Sequence, residues 1–306
     1  MDRELLAHFP IVLAVARRGG FAAAAAELGM SASAVSHAVK TVEERLGMPL
    51  FARTTRSVSL SEAGNAFVAA VDPALSDIKA AVESIRAANG EVTGLLRLNV
   101  PRVALQIALT PVLAEMAWRH PQLTIEVASD NGLVDIVAGG YDAGVRLGGM
   151  IAEDMVAIRM TPPFKAIMVA SPDYLRAKGE PASIEQLRQH NCIGFRLVAA
   201  GSVYAWELCE NGADVTVQVR GTALVTDPLY AKDLALAGVG IAYVFEPLVR
   251  DEIRAKRLRW LIPTAAIEEP GLFLYFPRRA SETPKLRAFI DVMRNVLKPQ
   301  PETRDG

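Results

Sequence analysis

The sequence predicts a multidomain chain: an all-α N-terminal module finished by a short hairpin, a long connecting helix, and a larger α/β region folded as two lobes. Three observations lead there. In the first ninety residues apolar positions recur at three- and four-residue spacing, which marks helices that bury one face. From Leu95 onward short apolar strands alternate with helical stretches, the ordering of α/β proteins. The 306 residues suffice for roughly two or three domains.

Leu5, Phe9, Val12 and Ala16 define a first helix that ends before Gly19-Gly20. Phe21 leads a second, alanine-rich helix through Leu28, where small side chains permit close approach of a neighbour and Gly29 stops the run. Ser31 or Ser33 is the N-cap of a third helix whose inward stripe is Val35, Val39, Val42 and Leu46, closed by Gly47 and Pro49. Two short helices across a tight Gly-containing turn form the helix-turn-helix layout, in which the second helix enters the DNA major groove. Its outward face offers Ser33, Ser36, His37 and Lys40, with Ser31 at its start and no carboxylate from Leu28 to Val42. Residues 50–60 read as a hairpin with apolar anchors and a basic, hydroxyl-rich tip carrying Arg53, Thr54 and Arg56. Such a tip suits a wing. The bland alternative is a three-helix bundle with a solvated polar face, in which His37 is a partly covered surface imidazole.

A long helix follows from Ser61 to Asn89, with Phe67, Val71, Leu75, Ile78, Val82 and Ile85 at coiled-coil-like spacing. At 1.5 Å per residue it spans roughly 43 Å, too long to pack only on a small winged module, so its natural partner is a second copy. Pro73 predicts a kink near Ala69 to Pro73, or a split into two helices. Beyond the hinge at Val92-Thr93-Gly94, strands are expected at 95–100, 123–128, 143–147, 156–160, 165–170, 192–195, 223–226, 241–244, 258–262 and 272–276. Helices are expected at 105–119, 133–139, 172–178, 183–189, 228–237 and 284–297. Asn211-Gly212 between residues 204–209 and 215–220 is a strong hairpin signal.

The motifs Leu28-Gly29-Met30-Ser31, Ala34-Val35-Ser36, Glu43-x-x-Leu46-Gly47, Pro49-Leu50-Phe51-x-Arg53 and Leu60-Ser61-x-x-Gly64, in that order, closely resemble the winged helix-turn-helix of LysR-type transcriptional regulators. One departure is Ala32, where the family commonly has a Gln able to read a base edge bidentately. Residues 135–148 and Ser171-Pro172-x-Tyr174-Leu175 resemble the effector-binding half of the same family, itself similar to periplasmic binding proteins. The resemblance covers nearly the whole chain. It implies a DNA-binding domain at 1–60, a dimerising linker helix at 61–90 and a two-lobed effector domain at 91–306, with lobe I at 94–162 and 269–298 and lobe II at 163–268. It implies operator DNA, a small-molecule effector, a second copy in a dimer or tetramer, and RNA polymerase as partners.

In open α/β sheets ligands gather at strand carboxyl ends and helix N-termini, which selects Pro101, Arg102, Val103, Gly148, Gly149, Arg196, Ser202, Thr226 and Asp227. Arg102 is the residue suited to clamp a carboxylate, so an organic acid is a natural effector; its alternative is an internal salt bridge or a solvated arginine. Other chemistries find little support. Gly238-x-Gly240 follows a helix and lacks a third glycine, no P-loop or Gly-x-Ser-x-Gly elbow occurs, and His8, His37, His120 and His190 lack metal-ligand spacing. No cofactor and no catalytic set are expected. Two cysteines, Cys192 and Cys209, read as buried thiols of a reducing compartment. With 33 basic against 34 acidic residues, no signal-like h-region and no 18-residue uncharged apolar run, a soluble cytoplasmic protein without membrane contact is expected. Two other readings stay open: a constitutive DNA binder with a degenerate pocket, and an enzyme or solute-binding α/β protein with a helical interaction domain.

Overall fold

The computed structural model describes residues 3–53, 58–88, 91–129, 135–152, 154–198 and 200–298. They divide into two compact units, one built chiefly from residues up to Gly94 and one chiefly from those after it.

The first unit contains α1 (Arg3–Arg18), α2 (Phe21–Leu28), α3 (Ala32–Leu46), the antiparallel pair β1 (Phe51–Arg53) and β2 (Val58–Leu60), and α4 (Glu62–Ala88). Val12, Val15, Ala24, Val35, Val39, Val42 and Leu50 form its core, and the buried Ala24 and Ala25 let α2 sit close to its neighbours. Gly29 ends α2 in the left-handed conformation, and Ser31 rather than Ser33 caps α3, its Oγ accepting the Ala34 N–H at 3.1 Å. Leu46 departs from the expected inward stripe. It lies exposed on the last turn of α3, and Ala38 is buried instead.

A polar junction fixes where the hairpin and α4 leave this core. Glu43 Oε1 accepts the backbone N–H of Leu50 at 2.8 Å and of Phe51 at 3.2 Å, tying α3 to the start of β1. Ser61 Oγ donates to the Pro49 carbonyl at 2.7 Å and accepts the Gly64 N–H at 3.0 Å, which caps α4. A Cβ at Gly64 would stand 2.0 Å from the Leu50 carbonyl oxygen, so only glycine permits this approach. From there α4 runs as one helix through Pro73, so the alternative to a kink, a split into two helices, does not occur.

In the second unit a five-stranded sheet has the order β4-β3-β5-β16-β6, built from β3 (Gly94–Val100), β4 (Leu123–Ser129), β5 (Ala143–Leu147), β6 (Met155–Arg159) and β16 (Leu272–Pro277). β3 and β5 are parallel; β16 runs antiparallel to both β5 and β6. Between β3 and β4 the chain forms α5 (Arg102–Ala104), a π-helical turn (Leu105–Leu109) and α6 (Thr110–Arg119), so helix begins three residues before the expected Leu105. The second lobe centres on β7 (Phe164–Ala170), flanked antiparallel by β13 (Ala242–Phe245) on one edge and by β14 (Arg259–Leu261) and β15 (Ile267–Glu269) on the other. Around it lie α7 (Pro172–Lys178), β8 (Gly194–Arg196), β9 (Val203–Tyr204), the hairpin β10 (Trp206–Glu210) and β11 (Ala213–Val217), β12 (Leu224–Val225), α8 (Pro228–Leu236) and α9 (Arg250–Arg254). The helix α10 (Pro284–Val296) closes the described chain.

The hairpin turn has positive φ at both Asn211 (54°) and Gly212 (81°), which the Asn-Gly pair accommodates. Chain crosses between the lobes twice, at 160–163 and 270–271. There Gly271 (φ 87°) lies so close that a Cβ would meet the Pro162 and Thr161 carbonyls at 2.7 and 2.8 Å, and Thr161 Oγ1 accepts the Leu272 N–H at 3.0 Å.

Two expected helices fall short. Of 133–139, Leu133 and Val134 lie outside the described residues, and Ile136–Gly140 is a single turn. Tyr141 N–H bonds the Ile136 carbonyl and Gly140 N–H the Val137 carbonyl, a Schellman closure at the left-handed Gly140 that halts helix growth. Residues 183–189 shrink to a 3-10 turn at Glu185–Gln189.

The Gly64 approach yields a direct expectation. Gly64→Ala forces apart the Leu50 carbonyl and α4, and urea unfolding of the first unit should register a loss of about 1–3 kcal/mol; an unchanged midpoint contradicts the packing described.

Candidate DNA-reading face and interlobe cleft

Ser33, His37 and Lys40 lie exposed on α3 at the spacing of one helical face, and Ser36 beside them is half-buried. Ser31 Oγ stands 3.0 Å from Ser33 Oγ, so the hydroxyl that caps the helix also touches the first residue of the row. Lys40 pairs with Glu44 at 3.4 Å, both side chains well exposed, an interaction that water screens and that leaves the ammonium accessible. Arg53 ends β1 opposite Val58. Thr54 and Arg56 lie outside the described residues. On α4 the apolar row continues past the first unit's core: Ile78, Val82 and Ile85 are exposed, Ile85 at 70%.

In the second unit the residues expected to line a cleft stand at two sets of strand ends. Pro101 and Arg102 follow β3 and Gly148-Gly149 follow β5, and because those strands are parallel both pairs leave the same end of the sheet. Arg196 ends β8, and Thr226-Asp227 follow its parallel neighbour β12. One contact joins the two sets: Arg102 Nη1 lies 3.0 Å from Asp227 Oδ2, with the arginine side chain 50% and the aspartate 7% exposed. Asp227 Oδ1 accepts the Leu229 N–H at 2.9 Å, capping α8, and the Arg102 guanidinium lies 5.8 Å from the centroid of the Tyr230 ring. The internal salt bridge, one of the two readings open for Arg102, is the observed one.

Val103 is a correction. It is buried with Ile167, Val169, Ile193 and Ala242, in the apolar core of the second lobe, so it offers nothing to a ligand. The strand-end rule picks positions along the chain and is blind to which way each side chain turns. Gly148 leaves room for the Phe273 ring, which a Cβ would meet at 2.6 Å, whereas Gly149 faces open space. Arg196 Nη1 donates to the Gly201 carbonyl at 2.6 Å and Leu197 N–H to that of Ser202, so this exposed loop closes on itself. Thr226 is exposed beside Asp227.

Two participants escaped the sequence reading. Tyr230 sits half-exposed on α8 over Arg102, and its signal is its place one turn after the Asp227 cap. Arg146 is buried on β5, donating to Asn99 Oδ1 at 2.7 Å and to the Val145 carbonyl at 2.8 Å. Among the described residues no group of three or more His, Cys, Asp or Glu is placed to hold a metal ion, and no helix is long and apolar enough to cross a membrane.

A helix-turn-helix with a β-hairpin wing, a long helix and a two-lobed α/β domain define the class of one-chain regulators that join a DNA-binding module to an effector-binding one. Residues 6–65 match the family model of the bacterial regulatory helix-turn-helix protein, lysR family, and residues 89–298 that of the LysR substrate binding domain. The chain belongs to the LysR family of transcriptional regulators. It is 35% identical to the HTH-type transcriptional regulator PgrR of Escherichia coli over 95% of this chain and 97% of that one. The structure of CrgA, a LysR-type transcriptional regulator from Neisseria meningitidis, aligns with a TM-score of 0.61 at 26% identity, covering 97% of this chain and all of CrgA. Full-length LysG from Corynebacterium glutamicum shares the fold, with a TM-score of 0.63 at 18% identity over 98% of this chain and all of that one.

The cysteines test the packing of the second lobe. Burial pushes the Cys192 thiol up to about 12, so little thiolate forms near neutrality. Iodoacetamide at pH 8 should leave Cys192 unmodified in the native protein and alkylate it on denaturation, read by mass spectrometry; rapid native labelling contradicts its burial.

Proposed function

We propose that residues 1–60 bind operator DNA with α3 in the major groove, that 61–90 dimerise the chain, and that 91–306 hold a small-molecule effector in the cleft between lobes. The observation that carries the reading is the exposed row on α3. Ser33, His37 and Lys40 stand on one face, with Ser36 at its margin, and the hairpin β1-β2 follows at once. Short donors in the groove with a cation beside them suit base edges and phosphates together. Arg53, Thr54 and Arg56 serve the backbone or minor groove, and Ser31 serves chiefly by ordering the start of α3. In this reading the protein is a cytoplasmic regulator with no catalytic role, its effector an organic acid, its assembly a dimer or tetramer, and RNA polymerase its further partner.

Pro101, Arg102, Gly148, Gly149, Arg196, Ser202, Thr226 and Asp227 form the proposed effector region. A second reading, constitutive DNA binding with a degenerate pocket, draws on one observation: Arg102 already holds a carboxylate.

Footprinting on the chain's own upstream DNA, at stated salt, tests the first module. A protected dyad-symmetric site is expected, weakened by Ser36→Ala by about 1 kcal/mol. Arg53→Ala should weaken all sequences alike and lower the salt slope by about 1. No protection at low salt overturns the reading. For the linker, Ile78→Glu with Ile85→Glu should turn a dimer into a monomer in sedimentation, because the exposed row of α4 is left without a copy to bury it. A dimer that survives both changes removes α4 from that role.

A further inference from the structure

We propose that the effector is a carboxylate that takes Arg102 from Asp227, so that Asp227 is a built-in competitor whose ion pair with Arg102 holds the lobes together until the ligand arrives. This rests on the effector-controlled reading above and assigns the chemistry and the regulation of its site.

The pair joins the two sets of strand ends. Arg102 opens the helix that follows β3 of the first sheet, and Asp227 opens α8, which packs on β13 of the second. Their separation of 3.0 Å is that of a charge-assisted hydrogen bond. Which partner yields follows from their surroundings. Asp227 is 7% exposed, and its other oxygen caps α8 through the Leu229 N–H, so its charge sits at a helix start that favours it whether or not Arg102 is present. An incoming cation would have to reach that covered carboxylate. Arg102 is half exposed on a long side chain, and its planar fork can donate to an incoming carboxylate bidentately. Exchange at the arginine is therefore the cheaper event, and it selects an anion. The Tyr230 ring, half-exposed and 5.8 Å from the guanidinium, gives the anion a flat apolar neighbour and favours one with an unsaturated or aromatic body.

Holding is also built into the segment behind Arg102. Val103 is buried in the second lobe's core and Ile107 packs against it, so apolar packing joins the start of this helix to the second lobe beside the ion pair. Directly after α5 the helix passes through the π-helical turn Leu105–Leu109, which packs on the turn at Glu246–Leu248. Release of Arg102 thus acts on a helix whose hydrogen-bond register already departs from α.

Calorimetry on the full-length protein tests this with benzoate, its neutral isostere benzamide, and benzylammonium. Asp227→Asn keeps the α8 cap, since Asn caps as well as Asp, while removing the competing charge. Benzoate should bind D227N about two- to sixfold more tightly than the original chain, because the fraction of protein with Arg102 released from Asp227 rises. Arg102→Gln should abolish benzoate binding, and benzamide should bind neither form. Hydrogen exchange should quicken at the start of α8 and in the π-helical turn in both variants without ligand. Equal or weaker benzoate binding by D227N, none at all, or benzylammonium bound by R102Q overturns the proposal. The effector reading fails separately: if benzoate behaves as expected on both variants but never alters operator affinity or footprint, the competitor stands and its control of DNA does not.

Discussion

The geometry of the DNA-binding unit hangs on one close approach, the Leu50 carbonyl over Gly64. Glu43 holds the N–H groups of Leu50 and Phe51, Ser61 holds the Pro49 carbonyl and the Gly64 N–H, and the space between admits no side chain. Three chain segments thereby meet at one point: the end of α3, the root of the hairpin, and the first turn of α4. A wing is useful only when its root is fixed relative to the helix that it flanks. The same residues that fix the root of the hairpin also set the direction in which α4 departs.

The second unit solves a different problem, since two sheets joined by two crossings have to stay associated yet leave space for a ligand. Gly271 against Thr161 and Pro162 holds the two crossing segments close together. At the strand ends the contact between lobes is polar instead: one arginine, one aspartate and an aromatic ring. Apolar burial of Val103 supplies cohesion that does not depend on charge. In the proposed exchange a ligand that disturbs the polar contact leaves the apolar one, which favours a shift within the cleft over complete opening.

The helical module was legible in the sequence because its determinants are local. Gly29, Ser31 and Gly47 act on their own turns, and the valine stripe repeats within one helix. Leu46 departs because periodicity continues to the last turn after the core has ended, and the 133–139 helix because its stop, the closure at Gly140 onto Ile136 and Val137, is made by only two local hydrogen bonds. At the cleft, Thr226-Asp227-Pro228 announces a capped helix start and Arg102 a cation near a strand end, so both positions could be picked out singly. Their pairing could not, because nothing in either neighbourhood refers to the other. The inward turn of Val103 escaped for the same reason, being decided by a core assembled from the second lobe.

Magnitudes limit what the pair can do alone. A half-exposed ion pair is worth about 0–1 kcal/mol, whereas coupling between an effector and a distant site commonly amounts to about 1–3 kcal/mol. Exchanging one carboxylate for another on Arg102 leaves a difference smaller still, since the bond lost resembles the bond gained. The remainder has to come from something that Asp227 does not offer, namely apolar surface. At roughly 25 cal/mol per Å², covering about 60 Å² of ring face supplies about 1.5 kcal/mol, and Tyr230 beside the guanidinium is placed to be covered. In the proposed exchange the acid group sets where the ligand binds, and its apolar body sets how far the equilibrium between cleft states moves.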